Sequence, residues 1–146
     1  MMTEHVSKAN EILEALKANL SSEGFSLVTL RRLGISELSD SEFDAVVITQ
    51  GREVQNILKQ GQADIEWQIT LSLMVMKGNY ATAYENWNEK AALIGRIIAT
   101  DRTLGGKVIS AIITGRTRDL TVFEPYASGT VELSVHFRFN EITQGG

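Results

Sequence analysis

Few residues in this chain are equipped for chemistry. Among its 146 residues there is no cysteine, which excludes thiolate zinc sites, cysteine nucleophiles and a disulfide framework together. Two histidines remain, His5 and His136. A zinc site would need both plus carboxylates, although one lies in the first turn of the chain and the other near its end. His136 stands in a polar alternation with Glu132, Ser134 and Arg138. An exposed imidazole titrates near neutrality and could move protons, but catalysis requires a nucleophile, a base and an orienting group together. Ser134 lies within a run of alternating residues and not on a strand-to-helix elbow, so it offers no nucleophile. His136 and Arg138 therefore read as surface or interface residues.

Three other clusters invite a functional reading. Asp40, Glu42 and Asp44 occupy alternate positions, and an extended chain would set their carboxylates on one side, as a hard cation requires. No second carboxylate cluster and no calcium-loop glycine accompanies them, so a solvated acidic loop is the reading and no metal is expected. Thr103-Leu104-Gly105-Gly106 has the glycines of a phosphate cradle in the wrong order. A cradle follows a strand and opens a helix, whereas this one closes a helix, which predicts a left-handed helix stop. Arg116 and Arg118 with Lys107, and Arg31-Arg32, are the basic patches. On an acidic chain without interleaved aromatics they suit ion pairs between subunits, with Asp101, Asp119 or the Asp40 to Asp44 run as partners. Tyr84, Trp87 and Trp67 share stripes with Ile and Leu, which predicts core and not a stacking platform.

The elements that must carry these residues are legible from periodicity. Val6, Ala9, Leu13, Leu16 and Leu20 recur at helical spacing, with Thr3 as the cap and Gly24 as the stop. Thr82 and Glu85 announce a second helix through a capping box, and Tyr84, Trp87, Ala91, Ile94 and Ile98 form its apolar stripe to about Asp101. Gly95 inside it costs roughly 1 kcal/mol against Ala, which suggests close approach to a sheet. Ile65 to Met76 alternates strictly, a strand about 40 Å long that would project as one arm of a hairpin. Val131 to Phe139 alternates as clearly, and weaker strand signals cover Phe25 to Leu30, Ala45 to Thr49, Val108 to Ile113 and Leu120 to Phe123. A bulge or split is expected from Gly115 to Asp119.

The order α-β-β-β-α-β-β, with two one-sided helices, predicts an α+β two-layer sandwich: a mainly antiparallel sheet, both helices on one face, and a long projecting hairpin. The other face would carry Glu66, Gln68, Thr70 and Ser72 beside Glu132, Ser134, His136 and Arg138. Such a polar face suits a flat contact with a neighbour. With 43% hydrophobic residues and one Pro, residues 1–146 read as a single domain with an ordered part from about 3 to 140. Fourteen Lys and Arg against eighteen Asp and Glu give a net charge of −4, which argues against a binder held by phosphate neutralisation. Met1 to Leu20 lacks the apolar centre of a signal peptide, and Ala91 to Ala99 is too short to span a bilayer, so a soluble protein made in a cytoplasm is expected.

The element order, the run Asp101-Arg102-Thr103-Leu104-Gly105-Gly106 after the second helix and the closing strand Val131 to Phe139 together resemble the tail terminator (minor tail protein U-like) family of long-tailed bacteriophages. The resemblance spans roughly Val6 to Asn140. It implies a six-membered ring of this chain on the end of the tail tube, made in the host bacterial cytoplasm and ending at the head-proximal end of the virion tail. Such a ring stops tube polymerisation and presents a surface to the neck or connector protein. Its partners would be further copies, the tail tube protein and the neck, while DNA passes without specific binding and no membrane, cofactor or catalytic residue is involved. The chain departs from a minimal member in the Gly51 to Gln62 connection, a hairpin tip or short helix with apolar Val54, Ile57 and Leu58 among Arg52, Glu53, Gln55 and Lys59. Together with Asp101, Arg102, Arg116, Arg118, His136 and Arg138, those three apolar residues are the expected subunit or tube interface. Asp40, Glu42, Glu53 and Asp64 flank the long strand and are candidates for the ring lumen. A head–tail neck ring protein is the alternative within the same class. A small ligand-binding or enzymatic domain using the His136 face is the alternative from another.

Overall fold

The computed structural model describes residues 3–58 and 61–140. Along the chain run helix α1 (Glu4–Ser22), strands β1 (Leu27–Thr29), β2 (Ala45–Ile57) and β3 (Gln62–Met76), helix α2 (Ala83–Thr100), and strands β4 (Ser110–Arg118) and β5 (Tyr126–Asn140). The five strands form one sheet in the order β1-β2-β3-β5-β4, with both helices packed on one face, the expected α+β two-layer sandwich. All pairings are antiparallel except β1 with β2, which run parallel over Leu27–Thr29. A parallel neighbour needs a crossover, and residues 30–44 supply it.

Each helix begins where its cap residue satisfies an orphan amide. Thr3 Oγ1 accepts from Val6 N at 3.2 Å, and Thr82 Oγ1 accepts from Glu85 N at 3.1 Å. Glu85 reaches back to Ala81 N at 3.0 Å, one residue before the position a capping box predicts. Ile12, Leu13, Leu16 and Leu20 of α1 are buried, whereas Val6, expected in this stripe, is exposed. The first turn rests on the sheet through His5 instead, whose ring stacks on Phe139 with centroids 4.7 Å apart. The α2 stripe holds as expected with Ile97 added; Trp87 and Trp67 are buried, while Tyr84 is half-buried and donates its hydroxyl to the Asp119 carbonyl. Each fully buried aliphatic side chain of these stripes contributes about 1.5–3 kcal/mol.

Beyond α2 the chain turns through Leu104, Gly105 and Gly106, with φ of 49°, 69° and 87°. Asp101 Oδ1 accepts from Gly105 N at 3.0 Å and Thr103 Oγ1 from Gly106 N at 3.2 Å, but the helix already ends at Thr100 with Asp101 as its cap at φ −135°, so these left-handed residues form a turn beyond the helix and not the left-handed stop expected. Leu104 is buried beneath it despite its positive φ.

The strand alternation divides the sheet cleanly. Ile65, Trp67, Ile69, Leu71 and Leu73 of β3 and Val131, Leu133, Val135 and Phe137 of β5 face the helices and are buried. β3 and β5 pair from Gln62–Asn140 to Met76–Tyr126, so the long strand has a partner of equal length. The β2–β3 hairpin thus reaches past both edge strands, with β5 alongside it. The described residues 51–58 and 61–62 belong to this hairpin and not to a short helix; Leu58 N donates to Gln62 O at 2.8 Å, and Lys59 and Gln60 lie outside the described residues.

Two bulges reset the register. One extra residue enters β2 between Gln50 and Glu53, and one enters β4 between Ile113 and Gly115. A Cβ on Gly51 would stand 2.7 Å from Gln68 O, so the first bulge requires glycine at the point where the backbones meet. Leu120 to Phe123, expected as a strand, is an exposed turn between β4 and β5, in which Leu120 and Phe123 are each 80% exposed. The face away from the helices is also not wholly open. The crossover 30–44 lays Leu33, Ile35, Leu38 and Phe43 over Ala45, Val47 and Met74, making a second, smaller core at one end.

Candidate functional site

The remaining open face is built by residues that the register sets side by side. Across β3 and β5 the pairs are Asp64–Arg138, Glu66–His136, Gln68–Ser134, Thr70–Glu132 and Ser72–Thr130. β4 adds Ser110 opposite His136. These are the residues the alternation assigns to this face, together with Asp64.

Asp64 is the hub of the only charged cluster on this face among the described residues. Its Oδ2 lies 2.7 Å from His136 Nε2, and its Oδ1 accepts from Arg138 Nε at 2.8 Å. Partial burial pushes the Asp64 carboxyl up, but hydrogen bonds from Arg138 and His136, with their charges, outweigh it and hold the group below the ordinary aspartate value. An imidazole held by a carboxylate is two members of a hydrolytic triad. The nearest hydroxyls in register, Ser134 and Ser110, make no hydrogen bond to it among those seen, so the ring is held in place without an aligned nucleophile. Away from the cluster, toward the other end of the strands, the face dips into a basin of about 840 Å³ between the crossover and the β4–β5 turn, lined by Arg32, Ile35, Thr49, Thr70, Ser72 and Val122.

The two histidines cannot meet. His5 sits on the helix side, 3.0 Å from Glu53 and stacked on Phe139, while His136 is on the opposite face. Glu53 and Asp64, both expected near a lumen, are likewise on opposite faces, because the β2 bulge turns Glu53 toward the helices. Asp40 and Glu42 lie on a short 3₁₀ turn at the far end of the sheet. The three alternate carboxylates are separated too. Glu42 accepts from Ser39, which holds it below its ordinary value, and Asp44 pairs with Lys90 at 3.5 Å and with Asn86. No group of three or more metal-ligating side chains occurs among the described residues.

The expected interface residues fall into three places. Val54, Ile57 and Leu58 are exposed on the hairpin, Val54 on the open face opposite Glu66, Ile57 on the helix side opposite Ala63. Among the described residues no strand lies beside the outer edge of β2 beyond Val47, since β1 pairs only with Ala45 to Val47. His136 and Arg138 form the open-face cluster with Asp64. Asp101, Arg102, Arg116 and Arg118 gather at the end of α2 and on β4. There Asp101 also accepts from Asn19 at 3.1 Å, and Arg118 lies 5.0 Å from the Trp87 ring while donating to Asn88 at 2.9 Å. None of these arginines pairs with Asp101 or Asp119 within the chain.

Asp64 as the anchor of His136 is the residue that sequence reasoning missed. It alternates with Ile65 in the long strand, so its face was readable, but its partner 72 positions away depends on register alone. The structure therefore defines an α+β sandwich whose described helices include none long and apolar enough to cross a membrane, and whose distinctive features are surfaces. No protein-family model and no curated protein matches the chain.

Proposed function

We propose that the chain is a bacteriophage tail terminator, a structural protein that caps the tail tube as a ring, stops tube growth and joins the tail to the head-proximal neck. The observation that supports this reading best is the hairpin. It extends past both edge strands, carries three exposed apolar side chains at Val54, Ile57 and Leu58, and has an outer edge with no strand beside it among the described residues. Exposed apolar residues on both faces of an extended element suit a contact with another protein. The polar, shallow open face is consistent with a flat contact to a neighbour, and the resemblance of element order and of Asp101 to Gly106 to tail terminators supplies the assembly context. The net charge of −4 suits a ring through which DNA slides, since a basic lining would hold phosphate.

The test is electron microscopy with mass measurement of the chain alone and mixed with tail tubes of the phage that encodes it. A ring seated on the tube end, with tails of uniform length, is expected. A chain that never binds tubes, and whose removal leaves tail length unchanged, would refute the proposal.

A further inference from the structure

Charge is distributed unevenly along the chain. Residues 96–118 contain Arg96, Arg102, Lys107, Arg116 and Arg118 against the single carboxylate of Asp101, a net of +4, so the rest of the chain carries −8. In space three of these arginines converge. Arg96, from α2, Arg102, from the turn just past it, and Arg116, from β4, rim a groove of about 450 Å³ with Ala92, Ile98 and Ile113 among its apolar lining. None of the three makes an ion pair among the described residues, and Asp101 is taken up by Asn19 and Gly105. The groove follows the sheet edge, because among the described residues β4 has β5 on one side and no strand on the other. Ile112, on the same strand, is 45% exposed.

A partner for this groove must bring carboxylates and an apolar side chain. Nucleic acid would satisfy the guanidinium groups but meet repulsion from the −8 of the remaining surface. A second copy of the chain is itself the acidic partner. Two grooves cannot face each other across a two-fold axis, because arginine would meet arginine; the contact must join unlike surfaces, which generates rings or filaments. Toward the β1 side of the sheet the crossover lies over the open face, with Glu37, which accepts from Gly34 N, and Asp40 exposed beside half-buried Leu38.

We propose that the arginine-rimmed groove between α2 and β4 docks the Glu37 to Asp40 segment of a second copy, head to tail. This deepens the ring reading in one respect, by naming the surfaces through which copies meet. The experiment uses the full chain in sedimentation velocity at low and high ionic strength, with the paired variants Arg102→Glu/Arg116→Glu and Glu37→Arg/Asp40→Arg. Wild type is expected to self-associate at low salt and to weaken about tenfold or more at high salt. Each variant alone should be monomeric with an unchanged circular dichroism spectrum. An equimolar mixture should assemble again, because every contact then joins opposite charges. Association of either variant at wild-type strength, failure of the mixture to assemble, a wild type that stays monomeric at low salt, or duplex DNA binding at the groove without self-association would each overturn the docking. Tail length in the microscopy above judges the ring reading separately, since rings can persist in a variant that refutes this particular contact.

Discussion

Replacing Gly129 by alanine tests how tightly the sheet and α2 are fitted. Gly129 lies in β5 opposite Arg118, directly beneath Trp87. A methyl group there would stand 2.4 Å from Thr117 O and 2.6 Å from Trp87 Cζ2, and neither neighbour is the free end of a flexible side chain. Overpacking of this kind costs about 1–3 kcal/mol. If the indole tilts to make room, Trp87 Nε1 loses its 3.1 Å bond to Leu73 O, and a buried donor left unpaired adds about 1–3 kcal/mol. The expected total is about 2–6 kcal/mol, which lowers the melting temperature by roughly 6–18 °C for a chain of this size. Urea unfolding followed by tryptophan fluorescence reads both the midpoint and the displacement of the indole. Gly115→Ala is the control: its nearest neighbour is Glu132 Oε2 at 3.2 Å, the end of a side chain that can swing away. A loss under about 1 kcal/mol at Gly129, or an equal loss at Gly115, would refute the packing argument.

The Asp64 carboxyl is held below 3.8 in the folded chain, so its contribution to stability is complete above that value and is lost as pH falls through it and on through the folded pKa. Asp64→Asn should therefore be less stable than wild type at neutral pH, with the gap in urea midpoint closing below about pH 3.8; a gap independent of pH would contradict this. Ile57→Asp/Leu58→Ser alters side chains already exposed and should shift stability by no more than about 0.5 kcal/mol while abolishing tube capping, as scored by tail length; capping at wild-type efficiency would remove the hairpin from the contact. Gly95→Ala should gain up to about 1 kcal/mol of helix stability. A Cβ there would stand 2.8 Å from Arg116 Nη2, so the guanidinium must move, and the variant should melt higher yet self-associate more weakly; unchanged association would show that Arg116 contributes nothing from that position.

The helices and the two long strands were legible because their periods persist over many residues. Caps at Thr3 and Thr82 and the buried tryptophans follow from local chemistry, whereas the left-handed Leu104 to Gly106 run lies in the turn beyond the Asp101 cap and does not stop the helix. What failed depended on register or on competition for space. Val6 has helical spacing, yet a histidine one position earlier found two phenylalanines to stack on, and pairing with Glu53 fixed it there. Leu120 to Phe123 has strand-forming residues, but β4 ends at Arg118 and β5 begins at Tyr126, leaving the segment to reverse the chain. The Asp40 to Asp44 alternation presumed an extended backbone that Ser39 and Glu42 capping interactions replace with a turn. Pairing partners distant in sequence, such as Asp64 with His136, are invisible to periodicity, which assigns faces but not neighbours.

The two bulges show how one inserted residue decides where charge goes. In β4, Ala111 and Ile113 face the helices, so a straight strand would place Arg116 and Arg118 on the opposite, open face. The extra residue between Ile113 and Gly115 reverses the alternation. Arg116 then pairs with Val131 and Arg118 with Gly129, both on the helix side, where Arg118 covers Trp87 and Arg116 rests at Gly95. In β2 the same device turns Glu53 from the open face to His5 and puts Val54 in its place. The open face thereby loses two cations and one anion and keeps a single charged hub at Asp64, while the cations gather at the β4 edge. A helix cannot be flipped by one residue in this way, because its 100° step spreads an insertion around the axis; a strand, with a period of two, converts it into a complete exchange of faces. The separation of a polar, shallow face from a basic edge groove is thus a property of the bulges, and the surfaces proposed here for assembly exist because the strands are irregular at those two points.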